Sequence, residues 1–209
     1  MSTMTPEQRV SAMFALLANA GKKEYVGGRM LPMDHALRIA KLAKDDGADE
    51  ETVLAALFFN IGHFVPSVEQ RDRIHSLGPS TEKLSSGLRV AGISFGGSPA
   101  ENTIDHGKIG AEYLRQLGFP NKTCELVESQ SSARSYISTI DPTFSRNYET
   151  QDPLLTYTVA SLLNTGKFEN GPYFDPKVKL VKWEVAAAKV DTEPPALDTY
   201  RDMAIRNIK

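Results

Sequence analysis

Apolar residues recur at intervals of three and four positions along most of the chain, which is the spacing of one face of an α-helix. A first helix is predicted from Pro6 to Ala20, and its apolar face is formed by Val10, Met13, Phe14 and Leu17. Strict alternation of apolar and polar residues, which is typical of a half-buried strand, is almost absent. The pattern therefore predicts an all-α fold, with a single domain over residues 1–209 and a flexible start at residues 1–6.

Glycine and proline residues divide the rest of the chain into further helical segments. The predicted helices run from Leu31 to Asp45, from the cap Asp49 toward Gly62, from Thr103 to Leu117, from the cap Asn121 through residue 138, and over residues 152–166, 176–190 and 197–208. The stretch from Pro66 to Asn102 is rich in Gly, Ser and Pro, so we expect irregular connections there.

Composition indicates an ordinary globular protein. The 209 residues are 41% hydrophobic and 24% charged, which is sufficient for a core without disulfides or a structural metal. The only cysteine is Cys124, which excludes a disulfide within the chain. The N-terminal sequence MSTMTPEQRV lacks the basic start and apolar stretch of a signal peptide. We therefore expect a reducing, cytoplasmic compartment.

Charge and hydropathy also limit the expected partners. The formal net charge is −2, and no run of Lys and Arg is longer than a pair, so nucleic acid is not expected as a partner. No stretch approaches the roughly 18 continuous apolar residues of a membrane span. A small-molecule substrate is the expected partner, and the sequence leaves the oligomeric state open.

Histidine is the main candidate for chemistry, and the chain has four: His35, His63, His75 and His106. None lies in HExxH or another local metal signature, and CxxC is absent. Each histidine, taken alone, is more often a structural or surface residue than a functional one. His75, in the stretch RDRIHSLG, is predicted to lie on the surface.

Three stretches together resemble the HD-domain superfamily: YVGGRMLPMDHALRIAKLA, AALFFNIGHF and DHGKIGAEYL. More narrowly, they resemble the branch of di-iron oxygenases that cleave hydroxylated organophosphonates, which is related to myo-inositol oxygenase. The resemblance covers residues 8 to 208, nearly the whole chain. It implies a helical bundle of the HD type, a loop around Tyr25 before the first histidine, and metal ligands at several positions.

Only some of the metal-ligand positions implied by the resemblance hold a ligand-type residue. His35 and His106 match the family pattern, whereas the remaining positions hold Phe59, Asn60, Gln130 and Val185, with Glu184 one residue from the last. Phenylalanine and valine offer no donor atom, and neutral amide oxygens bind divalent transition metals weakly. A pair of iron ions without matching carboxylates is electrostatically costly. We therefore expect no native metal and no other cofactor.

The same residues can form a pocket for other chemistry. His35, His106 and Tyr25 are the candidate catalytic residues, since imidazole exchanges protons near neutral pH and a phenol can stabilise an oxyanion. The candidate substrate-binding residues are Asn60, Phe59, His63, Gln130 and Arg134, which combine amides, an apolar ring and a guanidinium. Arg134 can instead be a salt-bridged residue, and His63 can instead cap a helix end.

These residues favour a metal-independent enzyme that catalyses proton transfer on a small oxygenated organic molecule. The expected reaction is an isomerisation, cyclisation, dehydration or other lyase step, and the expected setting is specialised (secondary) metabolism. Two alternatives remain. One is a non-catalytic binding protein on the same fold, and the other is an iron-dependent HD-family oxygenase or phosphohydrolase with altered ligands.

Overall fold

The structure is a computed structural model that describes residues 4–20, 30–65, 105–141, 144, 165–189 and 192–209. Its helices are α1 (Pro6–Ala20), α2 (Pro32–Asp45), α3 (Glu50–Leu57), α4 (His106–Leu117), α5 (Asn121–Glu128), α6 (Gln130–Ile140), α7 (Phe174–Ala187) and α8 (Arg201–Asn207). Short 3₁₀ turns cover Ile61–His63 and Leu197–Tyr200, and residues 165–169 are also helical. The described residues contain no strand, so the predicted all-α class is confirmed.

Helix α3 and the turn after it form the centre of the core. Every residue from 52 to 62 is buried. A helix that is apolar on all sides is typical of the interior of a bundle. Helix α2 packs against α3 and α7, α5 packs against α3 and α4, and α6 packs against α7. The turn after α3 contacts α4, and its residues Phe59 and Asn60 contact side chains of α6.

The sequence explains several helix ends. Asp49 caps α3, since its side chain accepts a hydrogen bond from the Thr52 backbone N–H. Asp105 caps α4 through the Lys108 backbone N–H. Gly118 ends α4 in the left-handed conformation at φ +86°, which favours glycine at this position. Capping thus explains the predicted start at Asp49 and the predicted stop at Gly118, whereas Thr103, where the helix up to Leu117 was predicted to begin, lies outside the described residues.

Two predicted helices are shorter than expected. Helix α3 ends at Leu57 instead of continuing toward Gly62, and Phe58, Phe59 and Asn60 form a turn. The reason is close packing: a Cβ on Gly62 would lie 1.8 Å from the backbone oxygen of His106, so the chain must tighten here to pass α4.

The helix predicted from the cap Asn121 is divided in two, and Asn121 is its first helical residue instead of its cap. Pro120 occupies the cap position, and the Asn121 side chain donates to Glu125 at 2.6 Å. The break falls at Ser129, whose hydroxyl donates to the Leu126 carbonyl at 2.7 Å. A serine bonded back to its own helix in this way competes with the helical backbone.

The other predicted segments agree in position. The helix predicted over residues 176–190 is α7, and the last one begins as the 3₁₀ turn Leu197–Tyr200 before becoming α8. The predicted irregular stretch from Pro66 to Asn102, most of the helix predicted over residues 152–166, and His75 lie outside the described residues. Within the described residues, no helix is long and apolar enough to cross a membrane.

Candidate functional site

Two of the candidate residues meet directly in the interior. Gln130, the first residue of α6, donates its side-chain N–H to the amide oxygen of Asn60 at 2.6 Å, and both residues are buried. The turn after α3 places Asn60 toward α6 because its neighbours Phe59 and Ile61 occupy the apolar core. The bond therefore pairs one donor of Gln130 with the acceptor oxygen of Asn60 in a region with little access to water.

A buried ion pair lies beside these amides. Arg134, one turn beyond Gln130 on α6, donates from Nε to one carboxylate oxygen of Glu184 at 3.2 Å and from Nη2 to the other. The side chain of Arg134 is 17% exposed and that of Glu184 is 6% exposed, so water screens the pair weakly. The guanidinium also lies 5.9 Å from the centre of the Phe59 ring. This geometry confirms the salt-bridged role that the sequence offered for Arg134.

Val185 is the residue that the resemblance places at the last implied metal-ligand position, with Glu184 one residue away. In the structure Glu184 is buried, whereas Val185 is only half-buried. The sequence held a signal for this orientation. Glu184 is four residues after Leu180 and three before Ala187, and both of these are buried on the same face of α7.

The two surviving ligand-type histidines have different neighbours. His35 on α2 places its Nε2 3.0 Å from the backbone oxygen of Glu184. His106 begins α4, and its Nδ1 lies 3.4 Å from the backbone oxygen of Gly62. Because a carbonyl oxygen only accepts, the contacting ring nitrogen of each histidine is the one that donates. In a neutral imidazole the opposite nitrogen is then an acceptor.

His63 stacks on His106 and is exposed, unlike the other candidates that the structure describes. The ring centres are 3.9 Å apart and the rings are inclined by 21°. The short 3₁₀ turn Ile61–His63 produces this contact because Gly62 and Gly110 bring the turn and α4 close together. Parallel stacked rings do not direct their nitrogens at a common point, so this pair does not form a two-histidine metal site.

The remaining candidate is Tyr25, which lies outside the described residues. The structure therefore brings together Asn60 with Gln130, Phe59 with Arg134, and His63 with His106. His35 is connected to these residues through α7, because its ring contacts the backbone oxygen of Glu184 and the Glu184 side chain pairs with Arg134. We refer to Asn60, Gln130, Arg134, Glu184 and His35 as the polar network.

Comparison with known proteins finds distant relatives, two of which are named as dioxygenases. The chain is 26% identical over 196 residues to hydroxymethylphosphonate dioxygenase of Gimesia maris, which covers 94% of this chain and 86% of that protein. It is 23% identical over 201 residues to an uncharacterized protein of Acanthamoeba polyphaga mimivirus, covering 95% of this chain and 81% of that protein. No family model matches the chain.

A further relative is the 1-hydroxy-2-(trimethylamino)ethylphosphonate dioxygenase (glycine-betaine-forming) of Leisingera caerulea. It is 26% identical over 126 residues, which cover 59% of this chain and 50% of that protein. The chain is thus a distant relative of named phosphonate dioxygenases, in agreement with the resemblance found in its motifs.

The comparisons overturn the main functional prediction. The two relatives with a named activity are dioxygenases, so the expected metal-independent isomerase, lyase or cyclase is wrong. The oxygenase alternative is the one that the comparisons support, and nothing supports a role in secondary metabolism. The prediction failed because it took the residues at the metal-ligand positions as evidence of a different reaction class.

Proposed function

We propose that the protein is an oxygenase that acts on a small organic anion of the phosphonate type. The observation that carries this proposal is the similarity to hydroxymethylphosphonate dioxygenase, which extends over 94% of this chain and 86% of that protein. Because the similarity extends over nearly all of both chains, it concerns the whole helical unit and not a short shared fragment.

Arg134 is the proposed binding residue for the anionic group. Its planar guanidinium can form paired, charge-assisted hydrogen bonds with phosphonate or phosphate oxygens. It lies over the Phe59 ring, and the amides of Asn60 and Gln130 lie one turn away. We propose that these residues bind the substrate, with Glu184 as the counter-ion of Arg134 before the substrate enters.

His35, His106 and Tyr25 are proposed as the residues that act on the reacting part of the substrate. Backbone oxygens orient His35 and His106, so each neutral ring presents its acceptor nitrogen in a fixed direction. His63 is proposed to support His106 by stacking on it. Holding a histidine ring in one tautomer and one orientation is a common requirement for proton handling and for ligand binding.

The resemblance implies iron, which activates dioxygen when it is bound. The residues at the implied ligand positions do not fit an iron pair. Phe59 has no donor atom, the Asn60 oxygen accepts from Gln130, and the Glu184 carboxylate accepts from Arg134. Among the described residues, no group of three or more His, Cys, Asp or Glu side chains could hold a metal ion. We therefore derive no reaction step through iron at these positions.

The test of this proposal is turnover. The purified protein is incubated anaerobically with Fe(II), hydroxymethylphosphonate is added, and oxygen is admitted. We expect oxygen uptake together with loss of the substrate signal in ³¹P NMR. The second substrate to test is 1-hydroxy-2-(trimethylamino)ethylphosphonate, because the relative named for it is also similar to this chain.

Variants connect turnover to the site. Arg134→Gln should raise KM by roughly 10-fold or more, since a charge-assisted pair of hydrogen bonds is lost. Arg206→Gln is the matched control because Arg206 pairs with Glu50 on the surface, and it should leave KM unchanged. Absence of oxygen uptake with Fe(II) and with Mn(II), in protein whose helical circular dichroism is intact, would refute the oxygenase proposal for these substrates.

A non-catalytic binding role is the second candidate, and the polar network favours it. Asn60 and Gln130 stand at implied metal-ligand positions and bond to each other, and Glu184, one residue from another such position, pairs with Arg134. Calorimetric titration with hydroxymethylphosphonate separates the two functions. Binding that depends on Arg134 without any oxygen uptake would favour the binding role.

A further inference from the structure

The polar network joins four parts of the fold at one place. His35 belongs to α2, Asn60 follows α3, Gln130 and Arg134 belong to α6, and Glu184 belongs to α7. A hydrogen bond of 2.6 Å connects the turn after α3 to α6, and the Arg134–Glu184 pair connects α6 to α7. The contact of His35 with the Glu184 backbone oxygen at 3.0 Å connects α2 to α7. Each link is made by groups of this chain alone.

The carboxylate of Glu184 already has a cationic partner within the chain. Glu184 is buried, and its two carboxylate oxygens each accept from the guanidinium of Arg134. A divalent ion on the same carboxylate would lie a few ångströms from the positive guanidinium. In a poorly screened interior such a contact between like charges is strongly unfavourable. Metal binding at Glu184 therefore requires Arg134 to leave its partner.

The neutral part of the network is also complete. Asn60 and Gln130 are 5% and 2% exposed, and one donates to the other. The Asn60 oxygen has a second lone pair, but a metal ion on it would compete with the Gln130 N–H for the same atom, and loss of the bond would leave a buried donor without an acceptor. Leaving a buried donor unsatisfied costs about 1–3 kcal/mol. A neutral amide oxygen binds a divalent transition metal only weakly, so coordination would not offset this cost.

We infer that the polar network replaces a metal centre as the element that holds α2, the end of α3, α6 and α7 together. The fold consequently reaches its full stability without metal, and any iron used in turnover is held by donors other than Asn60, Gln130 and Glu184. This inference goes beyond the proposed function, because it concerns what stabilises the site and not which reaction occurs there.

The first test measures thermal unfolding of the full chain after treatment with EDTA and after anaerobic addition of Fe(II) or Mn(II). We expect the Tm after EDTA treatment to stay within about 1 °C of the untreated value, because the native network needs no metal. Any rise of the Tm with Fe(II) or Mn(II) should be the same in wild type and in Glu184→Gln. Elemental analysis of the same samples reports the iron content. A Tm rise of several degrees with iron that is lost in Glu184→Gln would overturn the inference.

The second test breaks the ion pair. Glu184→Gln and Arg134→Met should each lower the Tm by roughly 10 °C, because each leaves a buried charge without its partner. The double variant should recover a large part of that loss, since it removes both charges. Asp45→Asn is the matched control, because the Lys41–Asp45 pair is exposed, and its Tm should change by less than about 2 °C. Single variants with an unchanged Tm would contradict the inference.

The two proposals fail in different measurements. Absence of turnover, together with a wild-type Tm that neither EDTA nor added metal changes and with destabilised Glu184→Gln and Arg134→Met variants, would refute the oxygenase function and support the network. Stoichiometric iron that is bound equally well by wild type and Glu184→Gln would support the network, because the iron would then lie elsewhere. Iron bound by wild type and released by Glu184→Gln would overturn the network whether or not turnover occurs.

Discussion

The side-chain amide of Gln130 donates to the side-chain oxygen of Asn60 at 2.6 Å, across 70 residues of sequence. Both side chains are buried between α3 and α6, where an unpaired amide would be costly. The bond therefore specifies how the turn after α3 meets the start of α6. The net contribution of this hydrogen bond to stability is small. Any other packing of the turn against α6 would leave a buried donor and a buried acceptor without partners, so the bond favours the observed packing.

A double-mutant cycle tests this relationship. Asn60→Leu and Gln130→Met keep approximate size but remove one partner each, so each should lower the free energy of unfolding by about 1–3 kcal/mol. The double variant should cost less than the sum of the two by about 1–2 kcal/mol, because no amide is then left unpaired. Urea unfolding measured by circular dichroism gives all four values.

Gln116→Met is the matched control for this cycle. Gln116 donates to Glu112 at 3.2 Å on a half-buried surface of α4, so its replacement should cost less than about 0.5 kcal/mol. Strictly additive costs for Asn60 and Gln130 would mean that the two amides do not act as a pair.

Gly62 tests the close approach of the turn after α3 to α4. A Cβ at this position would lie 1.8 Å from the backbone oxygen of His106 and 2.9 Å from the backbone nitrogen of Gly110. Because both obstacles are backbone atoms, the turn itself must move. We expect Gly62→Ala to lower the free energy of unfolding by about 3 kcal/mol and to disturb the stacking of His63 on His106.

Gly166→Ala is the control for that substitution. A Cβ on Gly166 meets no atom within 4 Å, and its backbone is helical. Alanine should therefore be neutral or stabilise the protein by up to about 1 kcal/mol. Equal effects of the two substitutions would show that the Gly62 contact does not limit packing.

The fold was largely predictable from the sequence because its helices carry regular apolar faces and clear end signals. Pro6, Asp49 and Gly118 bound helices in the structure as local rules suggest. The errors at Leu57 and Ser129 have a different origin. The end at Leu57 is related to the close contact of Gly62 with α4, and the break at Ser129 is related to a side chain that bonds to its own helix. The spacing of apolar residues indicates neither feature.

The sequence supplied candidate site residues but not the contacts between them. The motifs identified Asn60, Gln130 and Arg134 as candidates, but their spacing in the sequence did not predict which of these side chains contact each other. The motif alignment could not decide between Glu184 and Val185, because the sequence of α7 is apolar around them. The burial of Leu180 and Ala187 shows which face of α7 points inward, and Glu184 lies on that face. The oxygenase proposal rests on the names of relatives and not on the residues.

Cys124 provides a chemical test of the packing of α5. Its thiol is fully buried and donates to the Phe119 carbonyl at 3.7 Å. Burial raises the pKa of the Cys124 thiol from 9.0 to about 11, and the carboxylates of Glu128 and Glu112 add to the effect of burial while Arg115 opposes it. Since the thiolate is the reactive form, a disulfide reagent at pH 8 should modify the native protein at least about 100-fold more slowly than the urea-unfolded protein.

The control for the thiol measurement is the same reaction in urea, where Cys124 is exposed. A native rate close to the unfolded rate would show that α5 opens readily or that the thiol is accessible. The rate in native buffer should also follow the free energy of unfolding, so Gly62→Ala should accelerate it if local opening and global unfolding are coupled.

Asp49 links stability to pH at the start of α3. Partial burial works to raise the pKa of its carboxyl, but hydrogen bonds from the Lys122 side chain at 2.6 Å and from Thr52 hold the pKa below its ordinary value of 3.8. A carboxyl whose pKa is lower in the folded state stabilises the protein above the unfolded pKa. That stabilisation is lost as the pH falls through the folded pKa.

We expect the free energy of unfolding to decrease as the pH falls below about 4, with Asp49 contributing less than about 1 kcal/mol because its side chain is more than half exposed. Asp49→Asn keeps a capping side chain but cannot titrate, so its stability should depend less on pH between about 5 and 3. Lys122→Met should flatten the curve in the same direction, because it removes the cation that favours the charged carboxylate. Urea unfolding at successive pH values measures the three curves. Parallel curves for all three proteins would show that Asp49 does not couple α3 to α5 electrostatically, and that its role is limited to capping the helix.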